Sequence, residues 1–294
     1  MNENAVTYTV IGLSIALACT LFYFASSNTN ELLGVSVFTW CIVLAFILNW
    51  LAYIPAMLAQ TEHYYDLTGS LTYLILIVFA VFCSNGLDFR SYLVATMASI
   101  WAIRLGTFLF VRVRTRGGDD RFETIKTQPL RFFMSWTIQA LWVSFTLACV
   151  LVIITNQTRL PVTWIGYLGI SMWLVGFFIE IIADAQKSSF NKKPSNNGKF
   201  INIGLWAWSR HPNYFGEILL WSGLAVIALP VLSAGQWVCL ISPLFVFVLI
   251  RYISGVRLLE EKGQEKWGSD DMYIKYHQDT PLLIPMPPKV DFHN

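Results

Sequence analysis

The chain has 294 residues, 55% of them hydrophobic and only 13% charged, with a net charge of +2. An ordinary soluble domain carries about 25% charged residues, so the composition excludes that class. The near-neutral balance also gives no electrostatic reason to expect a nucleic-acid partner.

The apolar residues come in blocks nearly free of charge, at 6–25, 35–57, 71–83, 92–111, 136–155, 162–183, 218–232 and 237–253. A run of about 20 apolar residues crosses a bilayer core, so most of these qualify. The blocks 71–83 and 218–232 are short and need flanking residues. The first block lacks a basic leader region and a clear small-residue cleavage site, which predicts a retained helix rather than a signal peptide. The fold expected is an all-α integral membrane protein, a polytopic bundle of about eight transmembrane helices, with seven or nine also open. No soluble domain and no internal repeat is seen.

Charge placement orients these spans. Residues 1–89 hold no Lys or Arg, whereas six of the twenty basic residues fall in 112–131, five in 187–210 and six in 251–289. The positive-inside rule makes those three stretches cytoplasmic. The other loops, near Glu31, at 85–90, 156–161 and 230–236, hold only Arg90 and Arg159. Eight spans with both termini inside satisfies this count and puts 60–66 on the same cytoplasmic side. The five cysteines lie singly in apolar blocks, without a CxxC pair or a Cys/His cluster. They read as packing residues, and no metal site is expected.

Taken in chain order, polar residues then mark candidate positions. Asn49, Tyr53 and Gln60 share a helical stripe, and Gln60, Glu62, His63 and Asp66 crowd one end after Pro55. Arg104 shares a stripe with Trp101 and Phe108, as a functional cation or one that reaches to the interface. The basic segment 112–133 carries a Gly117-Gly118 turn and suits a topogenic loop against anionic lipid. Glu180, Asp184 and Lys187 form one stripe at the exit of a span. The loop that follows turns at Pro194–Gly198, and Phe200, Ile203, Leu205 and Trp206 suit a segment laid along the membrane interface.

The stretch GLWAWSRHPNYFGE (204–217) is the most informative. Pro212 suits the first helical position. Asn213 and Glu217 then share a face about one turn inside the span. A carboxylate at that depth is costly and reads as functional by default. Arg210 and His211 stand just outside, at a helix N-terminus that favours anions. The group suits a ligand with phosphates at one end and an amide or ribose at the other, although pairing of Glu217 with Arg210 would also hold the loop. No GxGxxG, GxxxxGK[ST] or GxSxG occurs, so a nucleotide would be held by the helices and their loops. The tail begins helically and ends in a Pro-rich stop.

NNGKFINIGLWAWSRHPNYFGEILLW (196–221) resembles the C-terminal signature of the steroid 5α-reductase-like membrane proteins, above all a bacterial-type branch of unknown function. TEHYYDLTGSLTYL, WAIRLGTFLF, PLRFFMSWTIQALW, EKWGSDDMY and TPLLIP fit the same branch. The resemblance divides the chain into N-terminal helices at 1–54, a reductase-like membrane domain at 55–285 with its cofactor half at about 180–285, and a tail at 286–294. Arg-His-Pro-x-Tyr is shared with isoprenylcysteine and phospholipid methyltransferases, and the extension to Phe-Gly-Glu217 leans toward reductases.

The resemblance implies NADPH in a cytosol-facing cavity of the C-terminal helices. Asn213 and Glu217 would meet the nicotinamide–ribose end, with Asp184 a further acidic contact. Lys199 and Arg210 would sit on phosphates, Lys192 or Lys193 matching more loosely. His211 and Tyr214 would line the pocket, Arg257 and Glu260 would fit its final stretch, and Lys187 completes the candidate set. Steroid-reducing members polarise an enone with an adjacent Gln-Glu pair and a Tyr. Here Gln60-Thr61-Glu62 carries an inserted residue and Trp101 takes the Tyr position. The expected function is reduction of an activated C=C bond in a lipophilic, steroid- or isoprenoid-like substrate, in a bacterial inner membrane or the endoplasmic reticulum. The substrate would arrive from membrane lipid, and oligomeric state is not specified. The alternatives are an S-adenosylmethionine-dependent methyltransferase and a non-enzymatic lipid-binding protein.

Overall fold

The computed structural model describes residues 3–116 and 122–288. The Gly117-Gly118 turn and the end of the tail, 289–294, lie outside the described residues. The chain forms two compact units, one of Met1–Ile165 with Ala228–Ser242, the other of Gly166–Ile227 with Pro243–Asn294. Among the described residues, eight helical stretches are long and apolar enough to cross a membrane. The architecture is thus all-α and polytopic. Its small departure is a hairpin of two-residue strands, β1 (Glu31–Leu32) and β2 (Val35–Ser36).

In the first unit, α1 (Glu3–Ala25), α2 (Val37–Leu58), α3 (Tyr65–Cys83) and α4 (Phe89–Arg116) pack on α5 (Pro129–Thr155). From Val143 to Thr155 every residue of α5 is buried. That stretch is uncharged and apolar all round, as a central helix must be. The connections at one end of this unit are knitted together. Asn156 Nδ2 donates to Val231 O and Gln236 Oε1, Asn28 Nδ2 donates to Asn156 Oδ1, and Asn85 N donates to Asn30 Oδ1. The four loops that carry few basic residues therefore meet one another. At the start of α3, Tyr65 OH donates to Ser135 O and Tyr65 O accepts from Gln139 Nε2, both at 2.8 Å.

In the second unit, α6 (Trp164–Lys192) and α8 (Pro212–Ala228) run in contact through glycines. A Cβ on Gly176 would stand 2.5 Å from Gly216 O, and one on Gly216 the same distance from Gly176 O. Gly169 and Gly223 repeat the arrangement two turns away. Small residues at such spacing let helix backbones touch, the usual means of association in lipid. The short α7 (Leu205–Trp208) docks on α6, with Trp206 Nε1 donating to Ala183 O and Leu205 N to Gln186 Oε1. Trp206 is buried, and Phe200 lies among the rings of Trp267, Tyr273 and Tyr276. These aromatics pack within the unit. Ile203 and Trp208 are exposed.

The last span is compound. α9 (Ile241–Val248) passes through a π-helical turn at Leu249–Ser254 into α10 (Val256–Trp267), and α11 (Asp271–Asp279) follows. The final segment is strapped to the turn before α8: Arg210 N donates to Pro281 O, Ser209 Oγ to Leu283 O, and Met286 N to Trp208 O.

The glycine contact is a test of this packing. Gly216→Val places carbons where the Gly176 carbonyl lies and is expected to cost about 1–3 kcal/mol. Gly12→Ala, at a position with nothing within 4 Å, is expected to leave the melting temperature unchanged or raised. Thermal unfolding of both variants in detergent checks this, and equal behaviour would refute the close contact.

Candidate cofactor site

The site is built in the second unit, where the C-terminal end of α6 meets the N-terminal end of α8. The glycine ladder sets the register, and a Cβ on Gly216 would also lie 2.8 Å from Glu180 N. Toward the helix ends, Asn213 Nδ2 donates to Asp184 Oδ1 at 3.2 Å. Three carboxylates, Glu180, Asp184 and Glu217, are buried on these two helices. The residues that the sequence placed on convergent stripes, Asp184 and Asn213, are therefore in contact.

Beside them lies a second polar group. Glu260 of α10 accepts from Arg210, and its Oε1 is 2.7 Å from His211 Nε2. Its Oε2 is also 2.7 Å from His277 Nε2 of α11. Arg210 thus takes Glu260 as its partner, where the sequence had offered Glu217 as an alternative. The His211 ring stacks on Tyr214, with centroids 5.7 Å apart at 17°. Tyr214 in turn lies against Gly255, where a Cβ would come 3.2 Å from Tyr214 Cε2. Burial holds the His211 imidazole below its ordinary value, against the opposing pull of Glu260. In the neutral ring, a proton on Nε2 facing Glu260 leaves Nδ1 as an acceptor.

The other expected residues are more dispersed. Lys187 Nζ stands 4.4 Å from the centroid of the Trp206 ring. Lys192, at the end of α6, and Lys193 and Lys199, on the connecting loop, are exposed. Arg257 is exposed, its Nε bonded to Glu261 Oε1 at 2.9 Å. In the first unit, Gln60 follows α2 in an exposed turn with φ 47°, so it leaves the face carrying Asn49 and Tyr53. Glu62 is buried and ion-paired with Lys126 Nζ at 3.0 Å. Trp101 is buried with its ring against Tyr73, and Arg104 lies over Phe108 at 5.4 Å.

Sequence reasoning missed Lys126, His277 and the strap of residues 281–286. It also missed the glycine ladder, although a seven-residue spacing on both spans carried that signal. Nothing in local sequence marked His277, which reaches Glu260 because α11 folds back beside α10.

The His211 environment has a measurable consequence. The fold favours the neutral ring, so its contribution is whole above the ordinary imidazole value of about 6.5. It is lost as the pH falls below that value. Thermal unfolding scanned from about pH 7.5 to about pH 5 should show a larger fall for the wild type than for His211→Asn. An equal fall would remove the assignment.

The family described as "Protein of unknown function (DUF1295)" matches residues 52–280. The chain is 27% identical over 122 residues to "3-oxo-5-alpha-steroid 4-dehydrogenase 1" of Macaca fascicularis, covering 40% of each chain. It is 26% identical over 184 residues to "Protein-S-isoprenylcysteine O-methyltransferase" of Xenopus laevis, covering 58% of this chain and 57% of that one. The chain thus spans about half the length of these curated relatives. No solved structure matches it.

Proposed function

We propose a function from the premise that this chain belongs to the DUF1295 family: a membrane-embedded, NADPH-dependent reductase of an activated C=C bond in a lipophilic, steroid- or isoprenoid-like substrate. The observation that carries this reading is the meeting of Asp184 with Asn213 at the ends of α6 and α8, beside buried Glu217 and the Arg210–His211 pair. The relation to a named steroid dehydrogenase supports it. The basic loops favour a cytoplasmic face for both termini and this site.

Buried polar atoms favour a dinucleotide here. Arg210 Nε, His211 Nδ1 and Asn213 Oδ1 are buried without a partner. Such atoms are costly unless a ligand or water answers them. Phosphates, ribose hydroxyls and a carboxamide offer the matching acceptors and donors. When bound, NADPH would supply the hydride.

In this reading Asn213 and Glu217 hold the nicotinamide–ribose end and Asp184 a neighbouring hydroxyl. Lys199 and Arg210 hold phosphate, with Lys187, Arg257 and Glu260 around them. His211 and Tyr214 form a flat wall. Arg210 serves phosphate while sharing Glu260, which keeps the unliganded guanidinium from being buried without a counter-charge.

Gln60 or Glu62 would hold the carbonyl oxygen of an enone, where a donated hydrogen bond stabilises the charge that develops, and a nearby acid would deliver the proton that completes the reduction. An ion-paired carboxylate accepts hydrogen bonds and does not donate them. While Glu62 is paired with Lys126, donation to the carbonyl therefore falls to the Gln60 amide.

A methyltransferase using S-adenosylmethionine is the second reading, favoured by the longer match to the Xenopus laevis relative. Titrating detergent-purified protein with NADPH, NADH and S-adenosylmethionine separates the two by thermal shift. A ligand at 100 times its Kd stabilises by about 2.7 kcal/mol. We expect NADPH to protect the wild type, and Glu217→Gln and Arg210→Ala each to weaken that binding by about 10-fold or more. Protection of all three proteins alike would remove the site. Protection by S-adenosylmethionine alone would establish the second reading, and protection by neither would favour a non-enzymatic lipid-binding protein.

A further inference from the structure

The first unit holds a cluster of charge that the function above does not use. Arg90, in the first turn of α4, is 1% exposed. Its Nη2 donates to Pro161 O at 2.9 Å. Its Nε and Nη1 are buried with no acceptor. The N–H groups on two nitrogens of a permanent cation are therefore unanswered.

Both terminal nitrogens of Arg159 beside it are engaged. Its Nη1 donates to Ser91 Oγ at 2.9 Å and Ile153 O at 3.1 Å, and its Nη2 to Asn85 O at 3.1 Å and Ile154 O at 3.2 Å. The carbonyls of Ile153 and Ile154 belong to the last turn of α5, where a cation is favoured. Asp88 Oδ1 accepts from Ser91 N and Ser91 Oγ. Two guanidinium groups against this one carboxylate leave the cluster with an excess positive charge.

All three residues line a cavity of about 240 Å³, together with Phe89, Leu160, Pro161 and Val162. One water takes about 30 Å³ in the liquid, so there is room for a polyatomic group. Arg90 and Arg159 are the basic residues in the connecting segments at this end of the unit. One secures a helix end, and the other has most of its donors unused.

We propose that this cavity binds a phosphate-bearing ligand, with Arg90 as its principal anion contact and the neighbouring apolar residues against the rest of the molecule. A planar guanidinium suits phosphate oxygens, and such bonds are short and strong. Phe89 is an exposed side chain at the start of the membrane-length helix α4, and Leu160 is exposed in the connection between α5 and α6. A phospholipid headgroup presents phosphate and glycerol there together, and free phosphate is the other source of the same chemistry. Arg159 contributes charge without giving up its carbonyls, and Asp88 Oδ1 is already engaged by Ser91.

The experiment uses the full chain in detergent, with thermal unfolding as the readout. The probes are inorganic phosphate, a short-chain phosphatidylglycerol and the matching diacylglycerol. The expected result is protection by phosphatidylglycerol, none by diacylglycerol, and at least about a 10-fold weaker effect in Arg90→Met. Protection by inorganic phosphate at the same concentrations would support the site and identify a soluble ligand. Leu160→Trp, which fills the cavity from a residue already 40% exposed, should abolish protection and serves if Arg90→Met does not fold. No protection by either phosphate probe, or equal protection of wild type and folded variants, would overturn the proposal.

Discussion

Two helices whose glycine carbonyls meet where a side chain would begin have little freedom to slide or roll. That contact, between Gly176 and Gly216 and again between Gly169 and Gly223, fixes α6 against α8. Glu180 and Asp184 stand one and two turns beyond Gly176 on one helix, and on the other Glu217 adjoins Gly216 with Asn213 about a turn away. A polar cluster buried in a membrane protein must be positioned closely enough for its members to satisfy one another. Here the backbone contact supplies that precision. The side chains then need only short, well-defined geometries to meet, as Asn213 and Asp184 do.

Around this core the second unit gathers charge from distant parts of the chain. Glu260 brings Arg210, His211 and His277 onto one carboxylate. A guanidinium is costly to bury without a counter-charge, and Glu260 offsets that cost for Arg210. The strap at 281–286 holds the turn before α8 through three backbone carbonyl or amide groups. Arg210 and His211 are thereby presented from a turn tied on both sides, although they lie outside regular helix.

Much of this was legible in the sequence because a bilayer imposes simple rules. Charge-free blocks of about 20 residues mark spans, and Pro212 with Asn213 and Glu217 marked the start and polar face of α8. The grouping of poorly basic loops was readable from charge alone, and Asn156 ties three of them together. What could not be read was partner choice across long sequence distance. Lys126 meets Glu62, and His277 meets Glu260, through folding of segments whose local patterns are ordinary. Gln60 left its stripe because α2 ends before it, a boundary that a repeating pattern does not reveal.

The π-helical turn between α9 and α10 has a bearing on how this membrane protein tolerates change. Each residue advances a helix by about 100°, so inserting or removing one within Leu249–Ser254 would swing everything downstream to a different azimuth. Glu260 would then face away from Arg210 and His211 with its own helix intact. The wide turn acts as a phase setting for α10, and among relatives the length of this segment should vary less than its composition.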